Sequence, residues 1–417
     1  MINTNQARVV ITGLGAISPL GLTAAELWAG LLAGRSGIAR ITQFDPGALP
    51  CQIAGEVKGF DPKNYIDGRE ARRMARCAQF AVAAAREALA DAGLPDRFTA
   101  PDRAAVLIGT GIGGVEKVEE MLGVHRQRGY DKINPFLLPN ALCNLPAHHI
   151  SKTFQALGPL NTVVTACAAG TQAVGEGAEL IRHGRADVVI AGGVEAAIQD
   201  YLIGGFCAMR ALPTAYNDRP EEASRPFERD RSGFVYAEGC GILILESLAQ
   251  ARQRGARIYA EVLGHASSSD AFDVAKPDPT GNGAIRAMRW ALADAGVTPE
   301  QVGYINAHGT GTAINDSGET QAIKQVFGEH AYATPISSTK SMIGHTLGGA
   351  GALEAIVCAL TLQHGVIHPT INYATPDPEC DLDYVPNVAR HAEVQVTLSN
   401  SFGLGGQNAC LVLGKPA

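Results

Sequence analysis

The sequence predicts an α/β fold assembled from two related halves. Three observations lead there. Short continuous apolar runs alternate with helical stretches rich in small residues. The chain has 417 residues, long enough for one large core or two fused ones, since cores usually stop growing near about 250–300 residues. A helix–strand–Gly-Thr-Gly order also occurs twice.

Arg8–Gly13 (RVVITG) opens the fold as a strand. Ala104–Gly109 (AAVLIG), Ala186–Ala191 (ADVVIA), Gly241–Leu245 (GILIL), Val302–Asn306 (VGYIN) and Cys410–Leu413 (CLVL) are further strands. Runs of this length and continuity suit strands buried on both faces. Helices are predicted over Arg69–Ala92, Thr171–His183, Gly283–Ala295 and Gly349–Gln363. The last carries Ala352, Leu353, Ile356, Val357 and Leu360 near helical spacing.

The repeat is short but ordered. Arg86–Gly93 reads REALADAG and Arg289–Gly296 reads RWALADAG. Each ends on a glycine suited to the left-handed position after a helix. Each is followed by a strand and then Gly-Thr-Gly, at Gly109–Gly111 and Gly309–Gly311. This order points to a duplicated half. The division falls in the polar, Gly-containing stretch around Arg252–Arg257, giving halves at 1–254 and 255–417.

Composition narrows the function classes. Hydrophobic residues make up 46% and charged residues 18%, as in ordinary globular proteins. A net charge of −7 argues against binding nucleic acid by bulk charge. The nine cysteines include no C-x-x-C pair and sit in apolar contexts such as Cys240 and Cys358. Buried thiols in a reducing compartment are expected. The first residues lack a signal-peptide layout and no apolar run reaches 18 residues, so no membrane span and a cytoplasmic location are expected.

Four segments carry chemistry. Val163–Gly170 (VVTACAAG) leads a strand-like stretch into Cys167, then into a helix. Small neighbours permit a sharp turn, and a helix N-terminus favours thiolate. Asn306–Thr312 (NAHGTGT) sets His308 past a strand end, where open α/β sheets gather ligands. Ser337–Gly351 (SSTKSMIGHTLGGAG) holds Lys340 and His345 ahead of a helix and lacks Walker spacing. Ser399–Asn408 (SNSFGLGGQN) reads as a mobile Gly-rich turn. One thiol, two imidazoles and one ammonium suit acyl transfer followed by carbanion chemistry. Cys167 would take an acyl group as a thioester. Loss of CO2 from a malonyl thioester then yields an enolate without a strong base, and His308 and His345 could stabilise its oxygen.

These segments, in this order over nearly the whole chain, resemble the β-ketoacyl-[acyl-carrier-protein] synthases, type II more closely than type I. The opening VVITGLGAISPLG and the tract Asn217–Gly239 resemble that family too. The resemblance implies a thiolase-like αβαβα layered fold of two pseudo-duplicated halves, the first with the nucleophile and the second with the histidines and lysine. It implies a Cys167-His308-His345 triad, with Lys340 supporting the histidines and pairing with Glu354. Backbone N–H groups of Cys167 and Leu404 would form the oxyanion hole, with Phe402 and Leu404 in the gate loop. Thr310 and Thr312 would contact the phosphopantetheine arm of the carrier protein, and Ile112 and Phe206 would line the acyl pocket. Arg69, Arg72, Arg73, Lys132 and Arg210 match positions that receive the acidic acyl carrier protein. The resemblance implies a homodimer, no cofactor of its own, no metal, and substrates carried as acyl-ACP and malonyl-ACP.

Two positions depart from the family. Its final loop usually reads GFGG, whereas Gly403-Leu404-Gly405-Gly406 stands here, and Gln407 replaces the usual Thr. The absent ring is the family's gate between acyl pocket and malonyl site. HGTGT is shared with polyketide ketosynthases, so a specialised or type II polyketide ketosynthase is the alternative within the reaction class. A biosynthetic thiolase needs a second Cys near the C-terminal turn, but Cys410 falls in a strand pattern. A type III synthase would place Asn where His345 stands. A chain-length-factor-like partner subunit would lack the nucleophile that Cys167 supplies.

Overall fold

The structure, a computed structural model, describes residues 7–416. The reading of the chain's start rests partly on residues 1–6, outside that range. Among the described residues, ten strands join in one mixed sheet. They are β1 (Val9–Ile17), β2 (Ala104–Gly109), β3 (Leu160–Val163), β4 (Val188–Glu195), β5 (Gly239–Ser247), β6 (Ala260–Ser269), β7 (Tyr304–Asn306), β8 (Ile336–Ser337), β9 (Val396–Gly403) and β10 (Gln407–Gly414). The layers are completed by helices α1 (Arg76–Asp91), α2 (Leu145–Phe154), α3 (Ala169–Arg182), α4 (Asn282–Ala295), α5 (Ala313–Phe327) and α6 (Ala350–His364).

The sheet has a seam where β1 pairs with β6 through Val9–Val262, Val10–Glu261 and Ile11–Ala260. Outward from the seam, the orders are β1-β5-β4-β2-β3 and β6-β10-β9-β7-β8. The second order is the first, five strands on. Directions repeat as well. The two pairings nearest the seam are antiparallel on each side, and the two farthest are parallel. The predicted echo therefore occupies equivalent places. Helices α1 and α4 run into Gly93 and Gly296, at φ 65° and 64°, and strands β2 and β7 follow.

Helices α3 and α6 contact strands of both halves and form the middle layer. Helices α1 and α2 cover the outer face of the first half, and α4, with α5 packed on it, covers the second. The result is the αβαβα layering. Burial explains the apolar runs: β1 is buried at every position, as is β2. Helix α6 lies between two sheet halves and is buried from Ala350 to Leu362, so it is apolar nearly all round.

The structure corrects several expected boundaries. Arg69–Ala92 is not one helix: a single turn at Gly68–Ala71 precedes α1. Ala75 is extended (φ −68°, ψ 152°), and the Arg76 N–H donates to Glu116 at 3.0 Å. That break turns Met74 into the core. Ser399–Asn408 is mostly a hairpin, with only Leu404–Gly406 between β9 and β10. Strands β6 and β9 lacked an apolar signature because Ser267–Ser269 and Ser399–Ser401 put polar side chains in them.

The middle layer depends on close backbone approach. Gly170 opens α3, and a Cβ there would stand 2.8 Å from both Gly348 O and Ala352 N. A Cβ on Gly348 would lie 2.5 Å from Gly111 N and 2.6 Å from Thr110 Cα. Neither contact can be relieved by rotating a side chain. Gly348→Ala is expected to lower stability by about 1–3 kcal/mol through overpacking, measured as a reduced denaturation midpoint.

Candidate active site

Cys167 lies between β3 and α3, in the helical turn Ala166–Ala168. The chain enters that turn with Ala166 at φ 50°, a strained left-handed conformation for a residue with a Cβ. The sulfur thus sits beneath the N-terminus of a 14-residue helix. It is enclosed, since Cys167 is only 6% exposed. Burial pushes its thiol up to about 11, against the pull of the Lys340 charge and the Leu404 N–H. The expected thiolate is therefore corrected: desolvation outweighs the helix end.

His308 follows β7 in a loop held from below by Glu319 of α5. That carboxylate accepts the His308 N–H at 2.9 Å, the Gly309 N–H at 2.8 Å and Asn400 Nδ2 at 3.1 Å. Asp316, one turn earlier, accepts the Gly311 N–H at 3.2 Å and the Phe227 N–H at 2.8 Å. His345 is held by main chain: its N–H donates to Val235 O at 2.7 Å, and its carbonyl accepts the Ala237 N–H at 3.0 Å. The His308 and His345 rings meet edge to face, centroids 5.3 Å apart at 83°. Phe402 packs on His308 at 5.6 Å and Phe234 on His345 at 5.3 Å.

Lys340 is 1% exposed and pairs with the equally buried Glu354 of α6. Burial and then the Lys340 charge hold both imidazoles well below the usual histidine range, and His345 adds to that effect on His308. Both are neutral, so each has one N–H to donate and carries no charge. The Nδ1 atoms of both rings are buried without a protein partner.

A cavity of about 620 Å3 brings these groups together. Its wall includes Cys167, His308, His345, Phe402, Leu404, Phe206, Arg210, Thr310 and Thr312. Thr310 and Thr312 bond each other at 3.0 Å between hydroxyls. Ile112 is outside this wall and packs, as Phe206 does, on the apolar cluster that contains Cys167. Arg69, Arg72, Arg73 and Lys132 lie outside it too, exposed on the surface. Arg73 stacks 4.4 Å from the Phe136 centroid, and Lys132 pairs with Asp131 at 2.9 Å.

Sequence reasoning missed the carboxylates that shape the site. Glu195 ends β4, fully buried, and accepts from Thr110 Oγ1 (2.9 Å), the Gly111 N–H (2.6 Å), the Ile112 N–H (3.3 Å) and the Gly348 N–H (3.2 Å). It ties the loop after β2 to the loop between His345 and α6. Its signal was an acid closing an apolar strand; Glu319 and Asp316 gave none beyond lying in a helix. Burial pushes Glu195 and Glu319 up to about 7, opposed by the N–H groups they accept.

Comparison with known proteins agrees with this geometry. Residues 6–251 match the family model "Beta-ketoacyl synthase, N-terminal domain", and residues 259–374 match "Beta-ketoacyl synthase, C-terminal domain". This chain belongs to the β-ketoacyl synthase family. The synthase is 48% identical, over 100% of both chains, to 3-oxoacyl-[acyl-carrier-protein] synthase 2 of Synechocystis sp.. Its fold matches the ishigamide ketosynthase/chain length factor with TM-score 0.92 and 40% identity, covering 99% of this chain and 100% of the other. It also matches a type II polyketide ketosynthase, AntDE, solved with its acyl carrier protein AntF and bound to the hexaketide. That match has TM-score 0.89 and 37% identity, over 99% and 100% of the chains. The thiolase-like layering expected from the sequence is the fold of this synthase. Among the described residues, no helix is long and apolar enough to cross a membrane.

Alkylation of Cys167 by iodoacetamide should speed up about tenfold per pH unit through the neutral range, because only the thiolate reacts. Peptide mapping of the label at several pH values measures this. A rate already level near neutrality would contradict the raised thiol.

Proposed function

We propose that this synthase condenses an acyl group with malonyl-ACP, giving β-ketoacyl-ACP, CO2 and free ACP, in fatty acid elongation. The observation that carries the reading is one cavity holding a thiol at a helix N-terminus and two neutral imidazoles. Cys167 attacks the acyl-ACP thioester; the acyl–sulfur bond to the carrier breaks and the carrier leaves as thiol with the proton from Cys167. The N–H groups of Cys167 and Leu404 form the oxyanion hole for this step, and both face the sulfur. Malonyl-ACP then loses CO2, its C–C electron pair becoming the enolate. His308 and His345 donate to the enolate oxygen, and its carbon attacks the acyl group on Cys167. The thiolate released takes up a proton, restoring the thiol.

Neutral imidazoles suit this role because they donate without becoming acids strong enough to quench the carbanion. Burial keeps them neutral, helped by the charge of Lys340, which Glu354 holds. Thr310 and Thr312 receive the phosphopantetheine arm at the cavity wall, and Ile112 and Phe206 border the acyl chain. The enzyme uses no cofactor or metal of its own. Arg69, Arg72, Arg73, Lys132 and Arg210 form the face for the acidic carrier protein. Arg210 is exposed at the cavity and supports that direction of entry. The protein is cytoplasmic and homodimeric, divided at 254/255. The dimer is supported by edge strand β3, where Leu160 is 48% exposed between Leu157 at 62% and Val164 at 48%. The division is supported by the repeated strand order.

A second reading has the same chemistry in a type II polyketide or other specialised pathway. Leu404 favours it, standing 40% exposed on the cavity wall where the family usually has a ring. A chain-length-factor-like subunit is disfavoured by Cys167 in the cavity.

Cys167→Ala should abolish condensation, measured as loss of acyl label at the residue 167 peptide. His308→Ala and His345→Ala should slow malonyl-ACP decarboxylation by about 10²–10³ while Cys167 acylation persists, read as CO2 release against acyl transfer. Leu404→Phe should shift the profile of accepted acyl-ACP lengths without altering the thermal midpoint, scored by product mass.

A further inference from the structure

The apolar cluster behind Cys167 contains a polar group that the condensation does not use. Tyr236 is fully buried, and its hydroxyl has no hydrogen-bond partner in the protein. Its position is set by main chain on both sides. Tyr236 O accepts the Gly55 N–H at 2.9 Å, and Tyr236 forms a parallel bridge with His345. In this extended segment Phe234 and Tyr236 share a face.

A chain of rings connects it to the site. His345 packs on Phe234 with centroids 5.3 Å apart, Phe234 on Phe206 at 5.3 Å, and Phe206 on Tyr236 at 5.6 Å. Phe206 and Phe234 line the open cavity, whereas Tyr236 lies one ring deeper. Tyr236 also shares one contiguous apolar cluster with Cys167, Ile198, Ile203 and Leu347, on which Ile112 packs. An acyl chain that leaves the sulfur toward Phe206 therefore meets Tyr236 next. A phenol with no partner at that depth is costly against a hydrocarbon and is satisfied by an oxygen on the chain.

We propose that Tyr236 is a specificity-determining residue of the acyl pocket, its hydroxyl donating to a keto or hydroxyl oxygen carried on the acyl chain. The inference rests on the condensing reading above and adds a substrate class to it: oxygen-bearing acyl groups alongside saturated ones. A site built to hydrogen-bond an oxygen discriminates far more strongly than an apolar pocket that only measures length.

The test compares octanoyl-ACP with hydroxyoctanoyl-ACP isomers bearing the hydroxyl at different carbons, using the full chain and malonyl-ACP. In the unmodified protein, kcat/KM for at least one isomer should match or exceed that for octanoyl. Tyr236→Phe, which removes one oxygen, should lower the ratio of hydroxylated to saturated kcat/KM about tenfold for that isomer. The same variant should keep or raise the thermal midpoint, since an unpaired buried hydroxyl is gone. An unchanged ratio for every isomer, or a lowered midpoint, overturns the role of Tyr236 while leaving condensation intact. No condensation with octanoyl-ACP or any isomer by the unmodified protein would instead overturn the condensing reading, and this one with it.

Discussion

Two helix starts, one from each half, meet in the middle layer with no side chain between them. Gly170 at the head of α3 and Gly348 before α6 bring backbone against backbone, and Glu195 accepts N–H groups from both the Gly111–Ile112 loop and Gly348. This contact sets how far the Cys167 turn stands from the His345 loop. Side chains cannot adjust it, because main-chain atoms are what touch. Interiors are packed too densely to absorb such a change elsewhere. The position of the thiol relative to the imidazoles is thus a property of the central layer, not of the loops alone.

The same burial governs the charges. Taking Cys167, His308 and His345 out of water favours the neutral form of each, raising the thiol and lowering the imidazoles. Lys340 adds to the effect on the imidazoles and partly offsets it on the thiol. Its charge is tolerated inside because Glu354 on the next helix answers it. Below the site, Glu195, Asp316 and Glu319 accept loop N–H groups that no sheet or helix could reach. Glycine-rich segments that would otherwise have many conformations are held in one, which is what a preorganised site requires.

Much of the fold was legible because burial on both faces leaves an unmistakable run. Strands β1, β2, β4 and β5 carried continuous apolar stretches, and α3, α4 and α6 were found within a few residues. Strands β6 and β9 were not: Ser267–Ser269 leave the end of β6 exposed or half-buried, and the polar side chains buried in β9 meet partners distant in the chain, as where Thr171 and Ser401 bond at 2.7 Å. The break before α1 was invisible for a similar reason: the group that ends it, Glu116, is distant in the chain.

The residues able to do chemistry, their order and their small neighbours were set locally: Cys167 before a helix, His308 past a strand, Lys340 and His345 in one loop. Local sequence also carried the duplication, through matching helix ends and Gly-Thr-Gly turns. What only the tertiary structure decided was their meeting and their protonation. Cys167 and His345 lie on opposite sides of the repeat, so their approach depends on packing between halves. The state of each group depends on how much water that packing excludes, a quantity no stretch of sequence contains.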